Sequence, residues 1–205
     1  MPPHDTYIET HLGAGAVMRN KPAAQRSIGI DIDQATLGKY HQDTNGVELM
    51  CDDAVSILGS FDFDQAGRAL VYADPPYLHE TRTSRKRYRF EYSRDDHIRL
   101  LECLRSLSAA VILSGYPSQL YDELLHDWRT LEFQVMTRGG VRTEKLWMNY
   151  EQSASHWASF AGVNFTDRQR IKRKANRWAK NYEQLPQGER LAILAAILKV
   201  QGRPS

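Results

Sequence analysis

Residues 70–77 read Leu70-Val71-Tyr72-Ala73-Asp74-Pro75-Pro76-Tyr77, and the abrupt break inside that stretch decides the fold. A short apolar run meets two consecutive prolines. Proline offers no N–H to a β-ladder and is kept out of central strands, so the run is predicted to be a buried strand ending at Ala73. In an open parallel sheet, ligands bind just beyond such carboxyl ends. The polar residues that follow therefore stand where chemistry is expected.

Working outward, three more strands precede this one, over residues 6–10, 27–32 and 47–51. The first ends in the turn Gly13-Ala14-Gly15, the second closes on Asp31 and Asp33, and the third is followed by Asp52 and Asp53. Helical stretches fit between them over 14–20, 34–42 and 53–58. Downstream lies a polar, basic segment over 78–92, then an amphipathic helix carrying Ile98, Leu101, Leu104 and Leu107 at helical spacing. A fifth strand over 110–113 and a helix over 118–125 follow. Residues 131–137 and 145–150 read as a hairpin joined by Arg138-Gly139-Gly140. This βαβ rhythm predicts an α/β domain, doubly wound around a mostly parallel sheet with an antiparallel edge hairpin, over residues 1–152. Residues 153–205 are predicted to be a small-residue linker, over 153–162, and a C-terminal helical pair. Thr166 is a plausible helix N-cap, and Ile171, Ala175, Trp178, Tyr182 and Leu185 form one apolar stripe before Pro186 breaks the helix. The second helix is expected over 189–200.

The totals agree with one globular domain and a modest appendage: 205 residues, 41% hydrophobic and 25% charged. A net charge of +2 says little about partners, so the distribution of charge has to carry that argument. Cys51 and Cys103 are far apart and in no metal-type spacing, as expected of two reduced core cysteines in a cytoplasmic protein. His11, His79 and His97 are likewise wrongly spaced for a metal, and no metal is expected. No apolar run approaches the ~20 residues of a membrane span, and Met1–Asp5 carries no signal-peptide pattern.

Two prolines in a row leave carbonyl oxygens with no competing donor beside them, and the Asp74 carboxylate only accepts. Such a cluster suits a substrate that presents an NH2 group, and Tyr77 adds an aromatic face for a planar base. The amine of adenine is a poor nucleophile because its lone pair is delocalised into the ring. Accepting both its N–H hydrogens frees that lone pair for attack on a sulfonium methyl, through positioning and electrostatics rather than a covalent intermediate. The base would have to be flipped out of a duplex to arrive there. Gly13 and Gly15 let the backbone approach a ligand closely. Asp31 stands where an acidic side chain can take ribose hydroxyls, and Asp53 where one can meet a cofactor's adenine amine; both also fit simple capping or surface roles. Arg82, Arg85, Lys86, Arg87 and Arg89, with Tyr88 among them, follow the proline turn and suit phosphate contact and stacking, or form a solvated loop. Arg168, Arg170, Lys172, Arg173, Lys174, Arg177 and Lys180 crowd one helix of the tail, either as a second DNA contact or as a solvated face.

The segment Tyr7-Ile8-Glu9-Thr10-His11-Leu12-Gly13-Ala14-Gly15 resembles the first cofactor motif of the Dam-like DNA adenine methyltransferases. Asp74-Pro75-Pro76-Tyr77 resembles their catalytic motif, and Arg142-Thr143-Glu144-Lys145-Leu146-Trp147-Met148-Asn149-Tyr150 their closing strand. The resemblance runs over about residues 6–150 in the family's order. It implies a class I methyltransferase-like fold, S-adenosylmethionine as cofactor, adenine in DNA as substrate, and Glu9 and His11 beside the cofactor with Gly13, Gly15, Asp31 and Asp53. Thr10-His11 stands where the family usually has Pro-Phe. Only five residues precede the first strand, so an upstream Pro-Gly-Gly-Lys-type segment is expected to be missing. Only residues 54–69 are available for the target-recognition insert of the larger relatives. Three other readings stay open: a DNA-binding remnant with little or no activity, and amino-methylation of cytosine or of adenine in RNA.

Overall fold

The computed structural model describes residues 1–40, 46–78, 80, 89–137, 140–151, 161–162 and 164–201. The chain forms two compact units, Pro2–Ser153 and Ala154–Ser205 with Met1.

The larger unit alternates β1 (Thr6–Thr10), α1 (Ala16–Asn20), β2 (Arg26–Asp31), α2 (Gln34–Tyr40), β3 (Val47–Cys51), α3 (Ala54–Ser60), β4 (Ala69–Ala73), α4 (Arg94–Ser106), β5 (Ala110–Gly115), α5 (Gln119–Leu124), β6 (Arg129–Thr137) and β7 (Gly140–Met148). They build one seven-stranded sheet in the order β3-β2-β1-β4-β5-β7-β6. The first five strands of that order run parallel, while β7 pairs antiparallel with both β5 and β6. This is the predicted doubly wound sheet with its antiparallel hairpin. The β1 strand sits inside the sheet, between β2 and β4, with all five residues buried, which its side chains explain on both faces. Ile8, Ile28, Ile30, Val71, Val111, Leu113 and Trp147 pack on one face beneath α3, α4 and α5. Tyr7, Leu70, Ile112 and Met148 pack on the other with Leu12, Met18, Leu37 and Tyr40.

The strand order reverses at β1 and β4. From β1 the chain steps outward to β2 and β3; from β4 it steps the other way. The crevice at such a switch point is where the carboxyl ends of neighbouring strands can surround a ligand. Asp5 and Arg68 clamp the opposite end of this seam, Arg68 donating to both Asp5 carboxylate oxygens.

Helix α4 is fixed at its start by a capping box between Ser93 and Asp96. The face it buries carries His97, Leu100, Leu101 and Leu104. Leu101 and Leu104 belong to the predicted stripe, whereas Ile98 and Leu107 pack only at its rim. His97 is buried, its Nδ1 2.8 Å from the Tyr121 hydroxyl. The hairpin is longer than expected, because β7 begins at Gly140 and ends before Tyr150. The expectation of two core cysteines is corrected: both are free, but Cys51 is exposed and Cys103 half-buried. Cys51 ends β3, an edge strand with cover on fewer sides.

The smaller unit contains α6 (Phe165–Glu183) and α7 (Gln187–Gln201), the predicted helical pair. Its N-cap is Asn164 rather than Thr166. The Asn164 side chain accepts the Asp167 N–H, which places Thr166 inside the first turn. At the break before α7, the Tyr182 hydroxyl donates to the Arg190 carbonyl at 2.9 Å. Trp178 on α6 and Leu191, Leu194 and Ile197 on α7 are exposed. Among the described residues no helix is long and apolar enough to cross a membrane.

Candidate active site

The carboxyl ends of β1, β2 and β4 open into a cleft of about 410 Å³. Its floor begins with the turn after β1. There the chain reverses so tightly that His11, Gly13 and Gly15 all adopt positive φ, at 57°, 52° and 62°. For glycine this is free; for His11 it is a sparsely populated conformation that its surroundings must hold. They do so through the ring, with Nδ1 3.0 Å from Thr10 Oγ1 and Nε2 2.8 Å from the Tyr92 hydroxyl. Burial holds this imidazole neutral, with its pKa down to about 4. At Gly15 a Cβ would stand only 2.2 Å from the Tyr40 ring, so any larger residue would require that ring to shift.

Asp31, at the end of β2, braces the turn: Oδ2 accepts the Gly13 N–H at 2.8 Å, and Oδ1 accepts the Asp33 N–H. Asp53 is the N-cap of α3, accepting from Ser56 N, and its other oxygen takes Arg99 Nη2 at 3.0 Å. Both aspartates thus have structural work and still line the cleft. Arg89 reaches back over the same mouth and pairs with Asp33. With Phe90 and Tyr92 it forms a strap along the cleft. Arg82, Arg85, Lys86, Arg87 and Tyr88, and His79, lie outside the described residues.

Asp74 stands where β4 gives way to the prolines. Ser114 Oγ, at the end of β5, donates to Asp74 Oδ1 at 3.0 Å and lies 3.0 Å from the Tyr72 hydroxyl. Among the described residues nothing donates to Oδ2. The Asp74 side chain is exposed to the open cleft, between its protein walls. Loss of solvation raises its pKa to about 6, the Ser114 hydrogen bond opposes the rise, and the negative charge of Glu144 adds to it. Glu9 lies deeper on β1, buried, with its Oε2 accepting from the Tyr7 hydroxyl at 2.9 Å. Burial pushes its pKa up to about 7, against the hydrogen bond from Tyr7, with the charge of Asp74 contributing to the rise. Two carboxyl groups of raised pKa in one cleft are a common mark of a functional site.

Of the residues singled out in the sequence, Glu9, His11, Gly13, Gly15, Asp31, Asp53, Asp74 and Pro76 line this one cleft. Pro75 is buried beneath it. Tyr77 lies to the side, its ring against Tyr116 and its hydroxyl on Glu144. Sequence reasoning missed Tyr72, Ser114, Tyr116 and Glu144. A small polar residue ending an apolar parallel strand, as Ser114 does, was the available signal. No group of His, Cys, Asp and Glu among the described residues is arranged to hold a metal.

The profile of the D12 class N6 adenine-specific DNA methyltransferases matches residues 32–143, just over half of the chain. No curated protein sequence matches it. Among solved structures, a Thermoplasma acidophilum protein superposes with a TM-score of 0.51 at 12% identity, covering 70% of this chain and 77% of its own. An O-methyltransferase of tomaymycin synthesis from Streptomyces achromogenes, solved with SAM, gives 0.49 at 14%, covering 71% and 73%. A SAM-dependent methyltransferase from Anabaena variabilis gives 0.46 at 11%, covering 70% and 75%. At such identities the first shows a shared fold and nothing finer. The sheet is of the class I methyltransferase type, and the chain belongs to the D12 class N6 adenine-specific DNA methyltransferase family.

Proposed function

We propose that this methyltransferase transfers a methyl group from S-adenosylmethionine to the exocyclic amine of adenine in DNA. The observation that carries the reading is the Asp74 carboxylate, which meets the glycine turn in one cleft at the switch point of the sheet. Gly13 and Gly15 allow close backbone approach, and Asp31 and Asp53 present carboxylates along the same wall, so the residues fit the cofactor. In this reading Glu9 and His11 stand beside it. The bound cofactor supplies an electrophilic methyl group on a positively charged sulfur.

The remaining work belongs to the chain. Ionised Asp74 accepts one N–H of the amine through Oδ2, while Ser114 holds Oδ1. The backbone carbonyls beside Pro75 and Pro76 accept the other. Both bonds localise the lone pair on nitrogen and orient it, which is catalysis by positioning and preorganised charge. Tyr77 stacks on the flipped base. Arg82, Arg85, Lys86, Arg87, Tyr88 and Arg89 approach the DNA backbone, and residues 153–205, through the basic α6, add a second contact. Residues 1–152 form the catalytic domain.

The test uses labelled S-adenosylmethionine with matched DNA and RNA substrates, followed by nucleoside analysis of the product. N6-methyladenine in DNA is the expected product. Label on cytosine or only on RNA would reassign the acceptor. Failure to bind S-adenosylmethionine by calorimetry would leave a DNA-binding remnant.

A further inference from the structure

The Tyr77 ring is held at two points, by Glu144 on β7 and by Tyr116 just past the end of β5. Its hydroxyl donates to Glu144 Oε1 at 3.2 Å. Its ring centroid lies 4.2 Å from that of Tyr116, with the two planes at 42°. These two neighbours come from opposite ends of the last third of the domain but are adjacent in the sheet. The β5–β7 ladder pairs Gly115 with Lys145, and Tyr116 and Glu144 are the next residue on each strand beyond that last pair. The register of one antiparallel ladder therefore brings both to the same place. Glu144 and Tyr116 are half-buried.

A tyrosine ring has only two side-chain torsions to fix. Packing of Tyr116 against the ring covers one side of it. A hydrogen bond at the hydroxyl holds the far end and restrains rotation. A ring restrained in this way has its position and angle fixed at low entropic cost, and stacking depends on that alignment. The same Glu144 is close enough to Asp74 for its charge to be felt there.

We propose that Glu144 and Tyr116 are positioning residues that fix the place and angle of the Tyr77 ring for stacking on the acceptor base. The inference rests on the methylation of a flipped base argued above. It predicts that Glu144 acts through the Tyr77 hydroxyl. In the full-length protein, Glu144→Ala and Tyr77→Phe should each lower kcat/KM for DNA roughly tenfold, as expected for loss of one hydrogen bond to a charged group. The double variant should be no worse than the poorer single one. Glu144→Gln keeps an acceptor oxygen and should recover most of the loss. Binding of S-adenosylmethionine, measured by calorimetry, should be unchanged in all of them.

A second readout does not depend on turnover. In protein labelled with 3-fluorotyrosine, the resonance of residue 77 is identified by its loss in Tyr77→Phe. It should shift in Glu144→Ala and in Tyr116→Leu. Losses that multiply in the double variant, or a resonance unmoved by both substitutions, would overturn the proposal. If the wild-type protein methylated no DNA, the proposed function would fall, while the fluorine resonance would still decide whether these residues hold the ring.

Discussion

The Ser114 hydroxyl donates to Asp74 Oδ1 across 3.0 Å, joining the ends of two strands that are neighbours in the sheet. Forty residues separate the pair in sequence. Parallel pairing of Ala73 with Leu113 brings them together, each standing one residue beyond that pair. The bond orients the carboxylate and favours its charged form, against the loss of solvation that favours the neutral one.

That balance sets a pH dependence. Asp74 accepts through both oxygens, with full charge, only when ionised, and its pKa is raised to about 6. A carboxyl group is charged above its pKa, so kcat/KM should be flat near neutrality and fall as pH drops through about 6. Asp74→Asn should lose roughly a hundredfold or more in kcat at any pH. Methyl transfer measured across the acid range checks both, and an acid limb retained in Asp74→Asn would assign the titration to another group.

Removing the Ser114 donor should move the limb. Ser114→Ala takes away the bond that stabilises the carboxylate, so the limb should shift to higher pH. Activity well above the new midpoint should largely recover. A uniform loss at all pH values would mean that Ser114 serves orientation alone.

The glycine turn makes a prediction by rank. Gly13 and Gly15 both have positive φ, which costs an L-residue about 1–2 kcal/mol. A Cβ at Gly13 would meet only the His11 carbonyl, at 3.8 Å, whereas one at Gly15 would collide with Tyr40. Gly15→Ala should therefore destabilise more than Gly13→Ala in urea unfolding. Equal losses would show that Tyr40 yields freely.

Asp53 has two roles that a single substitution would confuse. Asp53→Ala should lower stability by about 0.5–2 kcal/mol through loss of the α3 cap. Asp53→Ser keeps a capping oxygen but shortens the reach into the cleft. Stability should then be nearly restored, while affinity for S-adenosylmethionine, measured by calorimetry, should remain reduced. Wild-type affinity in Asp53→Ser would confine Asp53 to capping α3 and pairing with Arg99.

The basic segment is tested by salt. Neutralising Arg82, Arg85, Lys86 and Arg87 should weaken DNA binding and make its dependence on salt concentration shallower, by about one unit of logarithmic slope for each phosphate that is no longer neutralised. An unchanged slope would mark these charges as solvated.

The features legible in the sequence were those written in consecutive residues. Buried parallel strands read as short apolar runs, and the prolines after Ala73 can only end one. Periodicity begins β7 only at Lys145, although the resemblance takes the closing strand from Arg142; Gly140 to Glu144 run beside the edge strand β6 with no fully buried residue to impose a hydrophobic alternation. Asn164 and Thr166 are both good caps two residues apart, and only the observed bond to Asp167 N selects between them. Asp53 reads identically as a cap and as a ligand, since Arg99 lies 46 residues away. The meeting of Tyr77, Tyr116 and Glu144 is a property of strand register, which no local pattern announces.

The reversal between β1 and β4 has a consequence for how such a protein can change. The walls assigned to the methyl donor come mainly from residues before Ser60, and those assigned to the acceptor from residues after Ala69. The strap at Arg89, Phe90 and Tyr92 is the exception, since it reaches back across the seam. In the proposed reading the two substrates would draw on separate stretches of one gene, joined by a short connection that carries neither. On that reading, a genetic crossover in the connection would exchange the acceptor-facing half whole and leave the donor-facing half intact, provided that the incoming strap still met Asp33 and His11.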